Sequence, residues 1–342
     1  MKYYYTILTF LLITLQPIVK IQAQSSDVYR VVKSSNGQSF LLNTIGGSTI
    51  NTDVYFRIGT IYEFDSLSGI SMILSKIINN HIAAELRSGG RQVKYYGTVE
   101  PEMISFHFES SLADLDYVLN LAKDKITLPA FSESDVEEAK SAIRAEIDSM
   151  KNTESYKKDI NVLKKIWGND YKKLNPYGDQ KTYLRLKADD LMAFHKRYFL
   201  PFNNTVSILG SYSDKDVLDK LQLIFKDFKS REFNPELINR VMEFKPVINT
   251  VQLISNNPDR NIATITYQNP GSRQDRTASY CAFILTQMIN DKDGRIQKTM
   301  KSAGLKNLKA IYSCNNFYGT FVLSAQPTDD NFFDAITHMG RK

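Results

Sequence analysis

The side chains with which metal or nucleophile chemistry could be built are few: four histidines, two cysteines and scattered acids in 342 residues. Catalytic zinc takes three protein ligands, drawn mostly from imidazoles, thiolates and carboxylates. His81, His107, His195 and His338 are never within five residues of one another. His81 shares a helix face with Glu85 but gains no second imidazole, so each histidine is expected in a surface or capping role. Cys281 falls in an apolar helical run and Cys314 in a strand-like run, far from any metal spacing. Buried free thiols are expected, a single bridge being the alternative in an oxidising compartment. Ser75 and Lys76 are the residue types of a Ser–Lys nucleophile, yet side chains at i and i+1 diverge on a helix, which rejects that dyad. Met72, Ser75 and Lys76 share one helix side. Glu146 lies on another helix, at the edge of the stripe Val136, Ile143, Ile147 and Met150 and on the side of Ala139. An ion pair between Lys76 and Glu146, or plain solvation, suits these types better than a metal.

The elements that would carry these residues follow from apolar periodicity. Residues 28–32 and 39–43 read as a short hairpin and 53–59 as a strand. From Leu67 the period turns helical, with Leu67, Ile70, Ile73, Leu74, Ile77 and Ile78 on one face and Met72, Ser75 and Lys76 opposite. Residues 95–100 and 103–109 read as paired strands, and 113–125 as an amphipathic helix. A helix that starts near Ser132, with Ser134 or Asp135 as its cap, runs to Met150, and others cover 157–168 and 188–198 before a strand at 204–210. This order predicts an α+β sandwich, helices on one face of a mainly antiparallel sheet. A charged, proline-containing passage at 229–246 reads as a linker. The second half repeats the pattern: a strand at 262–268, a helix at 277–289, strands at 311–313 and 320–325, and a helix from Asn331.

Several patches, in order, resemble the insulinase/pitrilysin family of zinc peptidases, mitochondrial processing peptidases included. Gly59-Thr-Ile-Tyr-Glu63 followed by Gly69-Ile-Ser-Met72-Ile-Leu-Ser75-Lys76 is similar to the family's G-x-x-x-E strand and its G-L-A-H-F-L-E-H helix. Residues 136–147 resemble its A-E-R-E-R-N-A-V-N-A-E-L helix, and Asn175-Pro-Tyr-Gly178 its N-P-Y-G loop. The resemblance implies two homologous α+β units facing a chamber, the second one short here. It also implies what has changed. The H-x-x-E-H box, which supplies two imidazoles and the carboxylate that activates water, falls on Met72, Ser75 and Lys76. Glu146 is the one ligand position retained, and a helper glutamate is replaced by Ala139. The substrate-holding arginine and tyrosine of R-E-E-K-G-L-A-Y fall on Met300 and Asn307; Arg295 and Tyr312 are too far apart to replace them, although Lys301 keeps a positive charge nearby. The resemblance therefore implies the family fold without its zinc or its hydrolysis.

The first residues carry a secretory pattern: Lys2, an apolar run at 7–15, Pro17 and a small-residue exit near Ala23. Export with cleavage near residue 24 is expected, to the periplasm or outside, leaving no membrane anchor because the run is too short to span. The formal charge of +6 shrinks when Lys2 and Lys20 leave with the leader, and the basic clusters lack interleaved aromatics, which excludes nucleic acid as a partner. The expected organisation is a leader at 1–24, a first unit at 27–228 with the degenerate box, a linker at 229–246 and a truncated second unit at 247–342. The expected function is a non-catalytic subunit that pairs with an active zinc-peptidase homologue and helps to hold unstructured peptides. A peptidase with a displaced zinc site and a purely structural assembly protein are the alternatives.

Overall fold

The structure, a computed structural model, describes residues 29–229, 251–254 and 262–327. The leader, the linker at 229–246 except Lys229, and the expected helix from Asn331 lie outside the described residues.

Six strands form the first sheet: β1 (Arg30–Lys33), β2 (Ser39–Thr44), β3 (Thr49–Phe56), β4 (Lys94–Val99), β5 (Ile104–Ser111) and β6 (Asn204–Gly210). Their spatial order is β1-β2-β6-β3-β5-β4, antiparallel throughout except for the parallel pair β2–β6. Strand side chains alternate between faces. Phe40 and Leu42, Ile50 and Val54, Phe106 and Phe108, Val206 and Ile208 accordingly all enter one core. Helices α1 (Ile70–Gly89), α2 (Leu115–Ala122), α3 (Glu133–Met150), α4 (Glu154–Trp167), α5 (Tyr171–Leu174), α6 (Gln180–Tyr183), α7 (Ala188–Tyr198) and α8 (Asp214–Ile224) complete this unit. The expected hairpin is present, with Arg30 opposite Leu42.

The second sheet has the order β7-β8-β10-β9, from β7 (Val251–Ile254), β8 (Ala263–Pro270), β9 (Leu305–Cys314) and β10 (Tyr318–Pro327). Between β8 and β9 run α9 (Arg276–Asn290) and α10 (Arg295–Ser302). The run strand, helix, hairpin thus occurs twice: β3–α1–β4–β5 gives the spatial order 3-5-4, and β8–α9–β9–β10 gives 8-10-9. An α+β fold built on a repeated topology is what the periodicity implied. The two hairpin tips meet, where the Glu102 carboxylate accepts from Asn316 N (3.1 Å), Asn316 Nδ2 (2.6 Å) and Phe317 N (3.0 Å). Tyr62 meets Phe317 edge-on, and Trp167 meets Tyr318.

Several boundaries move. β3 begins at Thr49, not 53, because the buried Thr52 hides the alternation of Ile50 and Val54. α1 extends to Gly89, where Gly90 adopts the left-handed conformation that ends helices. α8, α10 and β7 were not expected; α8 buries only Val217 and Leu221 among charged neighbours, too sparse a stripe to read.

Candidate functional site

Met72, Ser75 and Lys76 sit on α1 and Ala139 and Glu146 on α3, two helices that pack against each other. α1 starts where it does because Glu63 is buried behind it and accepts from Gly69 N (2.7 Å) and Ser71 N (2.9 Å), taking up donors that the first helical turn leaves free. Burial nonetheless pushes the Glu63 carboxyl up to about 7, against the lowering by those two N–H groups. Gly69 is left-handed, and the Asn175–Gly178 turn presses on it: a Cβ on Gly178 would fall 2.4 Å from the Gly69 nitrogen. α3 starts at a reciprocal capping box between Ser132 and Asp135.

On these two helices the structure brings Lys76 and Glu146 together, Lys76 Nζ donating to Glu146 Oε1. Both stay partly exposed, at 26% and 41% of their side chains. Tyr177 of the neighbouring turn faces the same carboxylate; burial first, and the Glu146 charge second, raise its phenol. Met72 packs against the core, and Ser75 is only 2% exposed. That corrects the expectation of an outer face, since α3 and α7 cover the side of α1 turned away from the sheet. Burial of Ser75 also removes it as a nucleophile. Ala139 is buried in the same helix pair.

The donor chemistry decides whether zinc fits. Of the four side chains, one is a thioether, one a hydroxyl and one an ammonium. The single carboxylate is already bonded by that ammonium, which repels a divalent cation. This set does not match the three-ligand requirement of catalytic zinc. Among the described residues no group of three or more His, Cys, Asp or Glu side chains could hold a metal ion.

The other candidates are dispersed. Met300, on α10, packs against the second core. Asn307 lies in β9 with φ of 53°, its amide bonded to Gln326, so the two do not form a pair. Lys301 is exposed, and Arg295 lines a groove beside Met300. Tyr312 OH accepts from Asn269 Nδ2 at 3.2 Å. Cys281 is exposed and Cys314 half-buried, 3.4 Å from Ser279 Oγ; both are free thiols. Their expected burial fails because the Cys281 side of α9 faces that open groove.

The histidines do more than surface or capping duty. His81 Nε2 meets Asp135 Oδ1 at 3.1 Å and ties α1 to the start of α3, helping, after the Ser132 backbone and hydroxyl, to hold Asp135 down near 2. His195 is buried, corrected from the surface, with Nε2 donating to the Ile126 carbonyl and its ring stacked on Phe199. His338 lies outside the described residues. Sequence reasoning missed one constellation altogether. His107 Nδ1 meets Asp53 Oδ1 at 2.6 Å and its Nε2 meets Ser105 Oγ at 3.0 Å, the connectivity of a Ser–His–Asp triad. Cross-strand register makes it, Asp53 standing opposite His107. It lacks a usable nucleophile: Ser105 is 2% exposed, bonds Thr98 Oγ1 at 2.7 Å and sits mid-sheet, where the ladders to β3 and β4 use the backbone donors an oxyanion would need. The network ties β3 to β5 through side chains as well as through the ladder.

With this geometry in place, the comparisons with known proteins are direct. Residues 41–175 match the family model described as insulinase (peptidase family M16), and residues 185–339 match the one described as the peptidase M16 inactive domain. The chloroplastic stromal processing peptidase of Pisum sativum is 24% identical over 200 residues, 56% of this chain but only 16% of that protein. Among solved structures, a protease from Helicobacter pylori superposes with a TM-score of 0.73 at 13% identity, covering 92% of this chain and 79% of that one. The periplasmic protease PqqL from Escherichia coli gives 0.75 at 15%, covering 92% and 37%. These structures share the fold. Two models of one family cover successive halves of the sequence, and the protein belongs to the insulinase family of M16 peptidases.

Proposed function

We propose that the chain is a non-catalytic member of the family that pairs with a zinc-bearing homologue and supplies one wall of a peptide-holding chamber. The observation that carries this reading is the Lys76–Glu146 ion pair at the ligand positions of an otherwise intact α1–α3 scaffold. A general base and two imidazoles are missing where hydrolysis needs them, while the capping of both helices and the packing between them are kept. Export fits the leader pattern and the periplasmic setting named for one structural neighbour. No described helix is long and apolar enough to cross a membrane.

The test has two arms. Metal analysis of the purified chain is expected to find no stoichiometric zinc, and an unstructured peptide should stay uncut; chelator-sensitive hydrolysis would overturn the non-catalytic reading in favour of a displaced site. Affinity purification from the native host is expected to recover a homologue with an intact H-x-x-E-H box. A stable pair buries more than about 1,000 Å² and survives gel filtration. Recovery of no partner, together with a partner rate on peptides unchanged by this chain, would overturn the subunit role.

A further inference from the structure

Positive charge is unevenly placed along this chain. Between Lys151 and Lys187 stand ten lysines and arginines against four acids, a net +6 that equals the formal charge of all 342 residues, so the remainder is balanced. Four of the ten share one side of α4: Lys157, Lys158, Lys164 and Lys165 fall, with Asn161 between them, within about 120° of its circumference. Glu154 is the single acid in that arc, while Ile166 and Trp167 are buried outside it.

Local chemistry accounts for part of this face. Lys157 Nζ meets Glu154 at 3.1 Å, and Lys164 Nζ lies 5.2 Å from the centre of the Tyr171 ring. Lys164 and Lys165 also stand in the last turn, where the helix dipole favours cations. Lys157 and Lys158 stand near the other end, where the same dipole disfavours them, and neither Lys158 nor Lys165 has an acidic partner among the described residues. An anionic occupant relieves the repulsion that remains.

The place of the helix in the fold points to the kind of occupant. α4 lies against β7 and β8 of the second sheet, and Trp167 at its end meets Tyr318 edge-on. Burial, then the Glu146 charge, then Tyr156 of α4 raise the Tyr177 phenol, so α4 also neighbours the Lys76–Glu146 pair. The uncharged exposed positions of α4 are Ser155 and Asn161, which offer no large apolar side chain to sink into a bilayer and no aromatic platform for unstacked bases.

We propose that this face of α4 is a docking site for an acidic peptide segment, held in extended form by Lys157, Lys158, Lys164 and Lys165, with the Asn161 amide as a neutral hydrogen-bond partner. The lysines extend over about 12 Å of helix, which an extended peptide covers in about four residues, so a short acidic run suffices. This specificity rests on the peptide-holding part of the function proposed above, not on the pairing.

Fluorescence anisotropy with the purified full-length chain at low salt tests it, using three unstructured Gly/Ser-based peptides of equal length that carry glutamates, glutamines or lysines. The glutamate peptide is expected to bind at least about ten-fold more tightly than the other two, a preference that shrinks as salt is raised. Lys157→Gln, Lys158→Gln, Lys164→Gln and Lys165→Gln together should remove that preference. Lys33→Gln, Lys196→Gln, Lys215→Gln and Lys226→Gln take the same charge from exposed positions elsewhere and should leave it within about two-fold. An equal loss in both variants would reduce the effect to net charge and overturn the proposal, as would equal affinities for the three peptides. Carbodiimide coupling of the glutamate peptide to the parent chain, followed by peptide mapping, needs no variant and should attach it within residues 157–165; attachment only elsewhere would overturn the proposal. Binding of anionic vesicles or of an oligonucleotide in place of the glutamate peptide would do so too. The chain is assayed alone, so failure to recover a zinc-bearing partner would defeat the pairing and leave a preference for the glutamate peptide standing.

Discussion

α1 and α9 stand at the same step of two repeated strand–helix–hairpin runs, yet one is enclosed and the other lies open. α1 buries Ile70, Ile73, Leu74, Ile77, Ile78 and Ile82, and even Ser71 and Ser75 on its other sides, because α3 and α7 pack over it. α9 buries Ser279, Thr286 and Ile289 and leaves Tyr280, Phe283, Ile284 and Met288 more than half exposed among the described residues. Helix and sheet alone do not make a finished layer. The helices that follow the hairpin close the first core, and the same closure fixes Lys76 against Glu146. In α9 the polar side of Ser279, Thr286 and Asn290 is turned inward and much of the apolar side is exposed, the reverse of α1.

That contrast can be broken by truncating one phenylalanine in each sheet. Phe106 in β5 is fully buried, and Phe106→Ala is expected to cost about 3–5 kcal/mol, the range for a large side chain lost from a core that cannot collapse. Phe321 in β10 borders the groove, and Phe321→Ala should cost about half as much or less, since no closed cavity is left behind. Urea denaturation measures both. Equal costs would mean that the second core is as closed as the first.

The junction between the units gives the next largest effect. Glu102 is the acceptor for three donors of the β9–β10 turn, and Glu102→Ala leaves two backbone N–H groups without it. A loss of about 1–2 kcal/mol is expected, in the range for hydrogen bonds to a charged group at a part-buried site. Calorimetry of the variant should resolve two transitions where the parent shows one, the less closed unit melting first. A single unchanged transition would show that Tyr62, Trp167 and their partners hold the units without the carboxylate.

Helix starts sharpen the comparison through pH. α9 is capped by the exposed Asp275, whose carboxylate accepts from Ala278 N, whereas α1 rests on the buried Glu63. Burial raises Glu63 from 4.5 to about 7, so the folded chain holds its proton more tightly than the unfolded chain does. Its contribution to stability is therefore fully present below about pH 4.5 and declines as pH rises to about 7. Asp135 acts oppositely: held near 2 from an ordinary 3.8, it contributes above pH 4 and loses that contribution as pH falls toward 2. The difference between parent and Glu63→Gln should isolate the first slope, because glutamine accepts from one of the two N–H groups and does not titrate. A parent-minus-variant difference that is flat from pH 4.5 to 7 would show that the enclosed carboxyl is ionised throughout.

Legibility in the sequence followed how much of each feature was local. The α1 stripe and a helix start near Ser132 were readable because periodicity and capping residue types are properties of a single segment, although the cap is Ser132 and not Ser134 or Asp135. β9 was read only at 311–313, since the left-handed Asn307 and a register shift opposite it near Ser324 break the two-residue alternation that Leu305, Leu308 and Ala310 would have shown. The burial of Ser75 and His195 depended on neighbours brought in from α3, α7 and the turn after α2, which no single helical wheel contains. The Asp53–His107–Ser105 network needed the β3–β5 register, and register is set by pairing.

The smallest effect concerns the ion pair itself. Lys76 and Glu146 are partly exposed, so water screens them and their coupling should be no more than about 1 kcal/mol in a double-mutant cycle of Lys76→Met and Glu146→Gln. A coupling this weak cannot explain why two helices stay packed; the buried Val136, Ala139 and Ile143 of α3 against the isoleucines of α1 do that. The pair's consequence is chemical instead, since it occupies the one carboxylate among Met72, Ser75, Lys76 and Glu146. Met72→His, Ser75→Glu and Lys76→His together should then give measurable zinc binding that Glu146→Gln weakens, while peptide hydrolysis stays absent because Ala139, Met300 and Asn307 are unchanged. Zinc binding indifferent to Glu146 would place the metal elsewhere and break the correspondence between this helix pair and a metal cleft.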